Sequence, residues 1–225
     1  MYAMDQLQAN LAAHGAAFFA HHQTAGRGQR GRTWQSEPGS QIALSVIADT
    51  SFLSLSNPFP ISVAVGLAAY DLFSRYAGDE TRIKWPNDIY WRDRKAGGIL
   101  IENIVRGISW PWSVIGIGMN VNQRNFPASL INPVSLKQIT GKDFSASALA
   151  RELCASLELR YQQLVQHAFD KMLTEYNTLL YRKDQAVKLQ KGPVTFHCVI
   201  ESVSPSGELL VSGGHRFGFG EVRWI

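Results

Sequence analysis

The chain has 225 residues, 45% hydrophobic and 18% charged, with 22 Lys and Arg against 18 Asp and Glu, a formal charge of +4. That composition suits a packed core of one or two domains and excludes a disordered chain, a collagen-like repeat and a coiled coil. There is no run of about 18 apolar residues, so no membrane span is expected. Asp5, Gln6 and Gln8 stand where a signal peptide would be basic, which argues for a cytoplasmic protein.

Taken in chain order, residues 5–14 carry Leu7 and Leu11 at i, i+4 and end at Gly15, a short helix. Ala16 to His22 read as a strand around Phe18 and Phe19, and the Gly- and Arg-rich stretch that follows reads as a long loop. Ile42 to Ile47 predict an apolar strand, and Pro60 to Tyr76 a helix packed through Ile61, Val65, Leu72 and Phe73. Short strands then flank Pro86-Asn87-Asp88 and turn again at Arg92–Lys95 into a strand over Gly97–Ile104; another runs over Trp112–Met119. From Ser145 to Leu164 the stripe Leu149, Leu153, Leu157, Tyr161, Leu164 predicts a helix, extended by a second that ends near Leu180. After that the period becomes two, with turns at Lys191-Gly192-Pro193, Pro205-Ser206-Gly207 and Gly213-Gly214 separating four or five short strands. The expected organisation is an α/β unit over residues 1–180 and a small all-β, barrel-like module over 181–225. Cys154 and Cys198 are expected to be reduced thiols in the core.

The charge is unevenly placed. Residues 26–32 and 82–95 hold eight Lys and Arg against Asp88 and Asp93, leaving fourteen bases against sixteen acids elsewhere. A slightly acidic body with two cationic segments fits an anion held at one place better than a nucleic-acid surface, where bases spread along a face. In Gly26-Arg27-Gly28-Gln29-Arg30-Gly31-Arg32 the glycines let backbone N–H groups approach an anion and the arginines add forked donors. A solvated basic loop or an RGG-like segment would share that composition. The run lacks the Gly-Lys-Ser/Thr of a P-loop and the spacing of a dinucleotide fingerprint. Lys84-Trp85-Pro86-Asn87-Asp88 and Lys95-Ala96-Gly97-Gly98-Ile99-Leu100-Ile101-Glu102 put ammonium groups beside small residues, where a cation can balance charge growing on a phosphoryl group, although Asn-Asp after Pro is also ordinary turn chemistry. In Gly116-Ile117-Gly118-Met119-Asn120-Val121-Asn122 the small residues allow backbone to lie against an extended ligand; alone, Gly-x-Gly more often marks packing or a bulge. His21-His22 and His197-Cys198 point to opposite faces and cannot share a metal, and no nucleophile elbow occurs, so charge stabilisation is expected rather than a covalent intermediate.

Those segments, in that order and joined by Gln23-Thr24-Ala25 and Thr33-Trp34, resemble the biotin protein ligases, as does Asn132-Pro133-Val134-Ser135-Leu136. The resemblance covers nearly the whole chain. It implies an α+β catalytic domain on a mixed sheet with helices on one face, followed by an SH3-like β-barrel. It also implies a two-step reaction in which biotin and Mg-ATP give biotinyl-5′-AMP and a lysine of a biotin carboxyl carrier domain takes the biotinyl group. By the same resemblance Gln23 contacts biotin, and the loop Gly26, Arg27, Gly28, Gln29, Arg30, Arg32 closes over biotin and adenylate, with Arg27 at the carboxyl and phosphate. Lys95 stabilises the charge built there, and Lys84 is counted among the substrate-binding residues. Gly98, Leu100, Gly116 and Gly118 line the biotin and ribose slot; Asn87, Asp88 and Asn120 serve the phosphate, metal or nucleotide side; Trp34 packs near the adenine. No protein-borne metal site is implied, Mg2+ arriving with ATP.

This chain departs from the pattern in having Gln29 where many relatives have Arg, a change that would loosen adenylate retention unless Arg30 takes the role. It also begins at Met1, where a Ser-Thr-Asn stretch should already have passed, and leaves no room for a DNA-binding helix-turn-helix, so no nucleic-acid partner is expected. A homodimer through the sheet is compatible with the resemblance. Lipoate or octanoate transfer on the same fold, and an inactive binding module, are the other readings of these residues.

Overall fold

Period-two alternation of apolar residues lays down the main sheet. The computed structural model describes residues 2–31, 33, 34 and 37–225. Its elements begin with α1 (Tyr2–Gln8), β1 (Ala17–Phe19), the two-residue strands β2 (Gly26–Arg27) and β3 (Thr33–Trp34), β4 (Gln41–Asp49) and α2 (Phe59–Ala77). There follow β5 (Thr81–Lys84), β6 (Asp88–Trp91), β7 (Arg94–Arg106), β8 (Ser109–Asn120), α3 (Leu136–Thr140), α4 (Ala146–Val165) and α5 (Phe169–Thr178). The chain closes with β9 (Ala186–Lys191), β10 (Val194–Val203), β11 (Leu209–Val211), β12 (His215–Phe217) and β13 (Arg223–Trp224).

Six strands pair in the order β1-β4-β8-β7-β6-β5. Every one of these pairings is antiparallel, so the α+β fold is built on a sheet of one pairing type rather than a mixed one. On one face Ile42, Leu44, Ile99, Ile115, Ile117 and Met119 enter the main core under α2 and α4. Helix α2 is buried along most of its length and lies against α4 and α5 as well as the sheet, which is why its apolar residues are not confined to a narrow stripe. A glycine inside a helix costs about 1 kcal/mol relative to alanine. Gly66 in α2 makes room for the Tyr176 ring of α5: a Cβ there would lie 3.2 Å from it, and the ring would have to give by a few tenths of an ångström. At one end of the opposite face of the sheet, Ala3 and Leu7 of α1 pack on Ile47 and Val114.

Helix α1 lies earlier than the Leu7–Leu11 spacing suggests. Its buried pair is Ala3 and Leu7, while Asn10 adopts φ 57° and ends the helix, leaving Leu11 exposed. The expected strand over 16–22 is only three residues long, and the long loop contains the small β2–β3 ladder. Strands β7 and β8 extend beyond the expected limits because they form one hairpin, turned at Gly107 with φ 60°. Helix α3, unmarked by any periodic stripe, is capped by the Ser135 hydroxyl accepting from Gln138 N and stopped by Gly141 with φ 74°.

The last five strands pair in the order β12-β11-β10-β9-β13, with β9–β13 and the other pairings antiparallel. They form a small β sheet, and among the described residues no pairing closes β12 onto β13 into a barrel. This sheet is docked on the first by Trp85, whose indole N–H donates to Gly207 O at 3.0 Å and whose ring stacks on Phe219. Both cysteines are free, Cys198 buried and Cys154 half-buried.

Candidate functional site

The sheet face opposite the main core carries the candidate site, and strand register builds it. Side chains alternate across a strand, so residues paired directly across the ladder share a face. One such row runs Ala43, Gly118, Gly98, Asp88, Lys84 across β4, β8, β7, β6 and β5. The next runs Phe18, Ser45, Gly116, Leu100, and a third Ile47, Val114, Glu102. Gly98, Leu100, Gly116 and Gly118 therefore form one continuous patch. Its floor is mostly backbone, and charged groups stand at its β6 and β5 side.

Trp34 lies on that floor. A Cβ at Gly118 would sit 2.6 Å from the indole Cε2, and one at Gly98 would sit 3.4 Å from Cζ3. The indole N–H donates to Gln41 Oε1 at 2.8 Å. Because an indole only donates, this bond fixes which way the Gln41 amide faces. The amide Nε2 is left buried and without a partner among the described residues. Gly26 is buried within the β2–β3 ladder, where a side chain would overlap the Trp34 carbonyl and approach Gln23 Oε1. The glycine is thus needed for close packing of the loop on itself. Gly28 and Gln29 are half-buried; Arg32 lies outside the described residues.

The cations expected from the sequence are present, and two of them are held by carboxylates. Lys95 Nζ donates to Asp88 Oδ1 at 2.6 Å, and Arg27 Nη2 donates to Glu102 Oε1 at 3.1 Å. Lys95 is fixed by backbone as well: its N–H donates to Asn132 O at 2.7 Å, and its carbonyl accepts from Val134 N at 2.8 Å. Asn120, almost fully buried, donates through Nδ2 to Val134 O at 3.0 Å and to Lys95 O at 3.4 Å. Asn87 donates to Ile99 O at 2.8 Å and its carbonyl accepts from Ile99 N, which fastens the β5–β6 turn to β7.

Lys84 is placed differently from the other cations. Its ammonium stands 4.4 Å from the Tyr90 ring, 4.9 Å from Trp224 and 5.2 Å from Tyr181, with Tyr90 Oη at 3.2 Å. Burial pushes its pKa down to about 8, against the opposing pull of Asp88. Arg30 does not take over the position of Gln29. Its guanidinium turns to the C-terminal strands and donates to the carbonyls of Gly220 and Phe219.

The sequence reading brought Gly98, Gly116, Gly118, Lys95, Asp88, Arg27 and Trp34 to one place. It missed Gln41 and Glu102 as members of the site, and the Asn132–Val134 backbone as the clamp on Lys95. Gln41 lies at the start of an apolar strand, where a buried amide has no signature of its own. A separate recess on the helical side is lined by His14, Val46, Cys154, Leu157 and Tyr161, and its charged lining residue, Glu158, is an acid. That recess does not suit an anion.

The fold has counterparts among known proteins. The model of the biotin/lipoate A/B protein ligase family matches residues 2–120. The bifunctional ligase/repressor BirA of Escherichia coli is 31% identical over 206 residues, covering 88% of this chain. This chain spans 61% of that relative's length. A biotin–[acetyl-CoA-carboxylase] ligase of Paracoccus denitrificans is 27% identical, with 86% of this chain and 82% of the relative covered. Among solved structures, the biotin protein ligase of Aquifex aeolicus in complex with biotin and ATP superposes with a TM-score of 0.81 at 24% identity, covering 95% of this chain and 91% of that one.

Proposed function

The chain belongs to the biotin/lipoate A/B protein ligase family, and on that footing we propose that it is an ATP-dependent biotin ligase. It would activate biotin as biotinyl-5′-AMP and pass the biotinyl group to a lysine of a biotin carboxyl carrier domain. One observation carries the reading. The strip made by Gly98, Leu100, Gly116 and Gly118 shares a sheet face with Asp88 and Glu102, the carboxylates that hold Lys95 and Arg27. A glycine-floored slot with cations held along its edge suits a substrate that is a flat ring system carrying a carboxylate.

In the first step a biotin carboxylate oxygen attacks the α-phosphorus of ATP, the bond to the β-phosphate breaks and pyrophosphate leaves. In the second the carrier lysine's neutral amine attacks the acyl carbon, AMP leaves and the amine gives up a proton. We assign Lys95 and Arg27 to the negative charge that builds between carboxylate and α-phosphate, where preorganised cations are most effective. Gln23 and the loop Gly26, Arg27, Gly28, Gln29 and Arg32 would cover biotin and the adenylate, and Trp34 would border the adenine. Asn87, Asp88 and Asn120 would face the phosphate and nucleotide side. Among the described residues no group of three or more His, Cys, Asp or Glu converges into a metal site. Mg2+ would come with the nucleotide, on the side of Asn87, Asp88 and Asn120.

We take residues 1–180 as the catalytic unit and 181–225 as an appended module, acting in the cytoplasm. Among the described residues no helix is long and apolar enough to cross a membrane. The partners would be the carrier domain and a second copy of the chain, without nucleic acid; sedimentation tests the dimer, and labelled duplex DNA tests the last point. The decisive assay is biotin-dependent exchange of pyrophosphate into ATP. Exchange with biotin, outcompeted poorly by lipoate, is expected. Exchange driven by lipoate instead would move the chain to the other branch of its family, and none with either substrate would sink the ligase reading.

A further inference from the structure

The Gly-Arg loop is tied to the C-terminal sheet by one side chain. Arg30 and Gly31 both take left-handed backbone, φ 57° and 74°. That turn carries the Arg30 side chain off the floor where Trp34 lies and toward the C-terminal segment 217–221. There Nη1 donates to Gly220 O at 3.1 Å and Nη2 to Phe219 O at 3.2 Å, using the fork of the guanidinium on two consecutive carbonyls. The receiving side is shaped for this contact. Gly220 has φ 75°, and any side chain on it would overlap the guanidinium. Phe219 is stacked on Trp85, with ring centroids 5.5 Å apart and planes 12° from parallel. Trp85 is itself buried and bonded to Gly207 O, and it sits between Lys84 and the Asn87–Asp88 turn. The loop is therefore bonded to the backbone of the residue whose ring stacks on Trp85, beside the Lys84–Asp88 turn.

We propose that Arg30 is a positioning residue of the ligase reaction, a latch that fixes the covering loop to the C-terminal module. By this means the module becomes part of the adenylate site without contributing a group to it. The inference rests on the ligase reading for its catalytic consequence but not for the contact itself. Arg30 touches neither the floor nor Lys95, so its loss should leave chemistry intact and weaken the hold of the loop on what lies beneath.

The test uses the full chain with Arg30→Ala, Arg30→Lys, Gly220→Ala and the double Arg30→Ala/Gly220→Ala variant. Two charge-assisted hydrogen bonds are lost in Arg30→Ala, so release of biotinyl-5′-AMP and the KM for biotin should each rise about ten-fold. The kcat of adenylation should stay within about three-fold of wild type. Amide hydrogen exchange across residues 26–34 should accelerate, while exchange in 81–91 should not. Arg30→Lys should recover part of the loss, since an ammonium can reach one carbonyl. Gly220→Ala should reproduce the effect from the other side, and the double variant should be no worse than either single one. Unchanged release and unchanged loop exchange in Arg30→Ala, or purely additive effects of the two substitutions, would overturn the latch. If wild type shows no biotin-dependent exchange, the ligase reading fails by itself, and the hydrogen-exchange comparison still decides whether the latch exists.

Discussion

Lys95 and Asp88 approach to 2.6 Å, and the backbone of Lys95 is held on both sides by residues 132–134. A cation so fixed needs little rearrangement to meet charge that develops beside it, which is the condition under which an electrostatic contribution to a reaction is large. Lys95→Ala should therefore lower the adenylation rate about 100-fold or more, while biotin affinity, measured by calorimetry, changes by less than about three-fold. Equal losses in rate and affinity would mean that Lys95 only binds. Gly118 supports a different prediction. The methyl group of Gly118→Ala would fall 2.6–2.9 Å from three atoms of Trp34, so the indole must leave the floor. Overpacking of this size costs about 1–3 kcal/mol. ATP affinity should fall about ten-fold and the urea midpoint should drop in step with the overpacking cost; an unchanged ATP affinity would show that Trp34 does not border the adenine.

At the scale of elements, the helical layer is joined by one buried arginine. Arg160 of α4 donates to both oxygens of Asp71 in α2, at 2.7 and 2.9 Å, and to both oxygens of Glu175 in α5, at 2.8 and 2.6 Å. Hydrogen bonds to Asp71 and then to Glu175 outweigh burial and raise its pKa. Arg160→Met would leave two carboxylates facing one another at the meeting of three helices. The loss of one member of such a group should cost on the order of 3 kcal/mol in urea unfolding, the lower part of the range because both acids reach solvent; a change within about 0.5 kcal/mol would show that the network is only a surface pattern. These helices were largely legible in the sequence, because α4 repeats Leu149, Leu153, Leu157 on one stripe. The floor was legible in part. Gly116 and Gly118 must share a face whatever the fold, but their pairing with Leu100 and Gly98 depends on the β7–β8 hairpin register, which no local signal sets. The Asp88–Lys95 pair is less visible still, since it depends on the irregularity between Ile89 and Tyr90. Arg30 in particular resisted sequence reading, because its partners are carbonyls 189 and 190 residues away.

Across the whole molecule, the two sheets meet on aromatic residues with a lysine among them. Lys84 of β5 faces Tyr90 of β6, Tyr181 of the connecting segment and Trp224 of β13, so its ammonium is enclosed by all three parts of the junction. Asp88 and Asp93 attract the ammonium, Lys95 and Arg182 repel it, and burial, the largest influence, lowers its pKa to about 8. The linkage sign follows from proton binding. Below pH 8 Lys84 is charged in both folded and unfolded chains, and the folded state bears the full cost of burying the charge. Between about pH 8 and the ordinary lysine value near 10.5 the unfolded chain binds the proton and the folded chain does not, so Lys84 makes stability rise with pH. Lys84→Met removes this titration while keeping an apolar stem in the aromatic enclosure. The stability of wild type relative to Lys84→Met should therefore increase across that window, by on the order of 3 kcal/mol. Other groups that titrate there are common to both proteins and cancel in the difference. A wild-type-minus-variant difference that stays flat from pH 7 to 10 would mean that the ammonium remains charged at the junction, stabilised by the rings more strongly than burial opposes it.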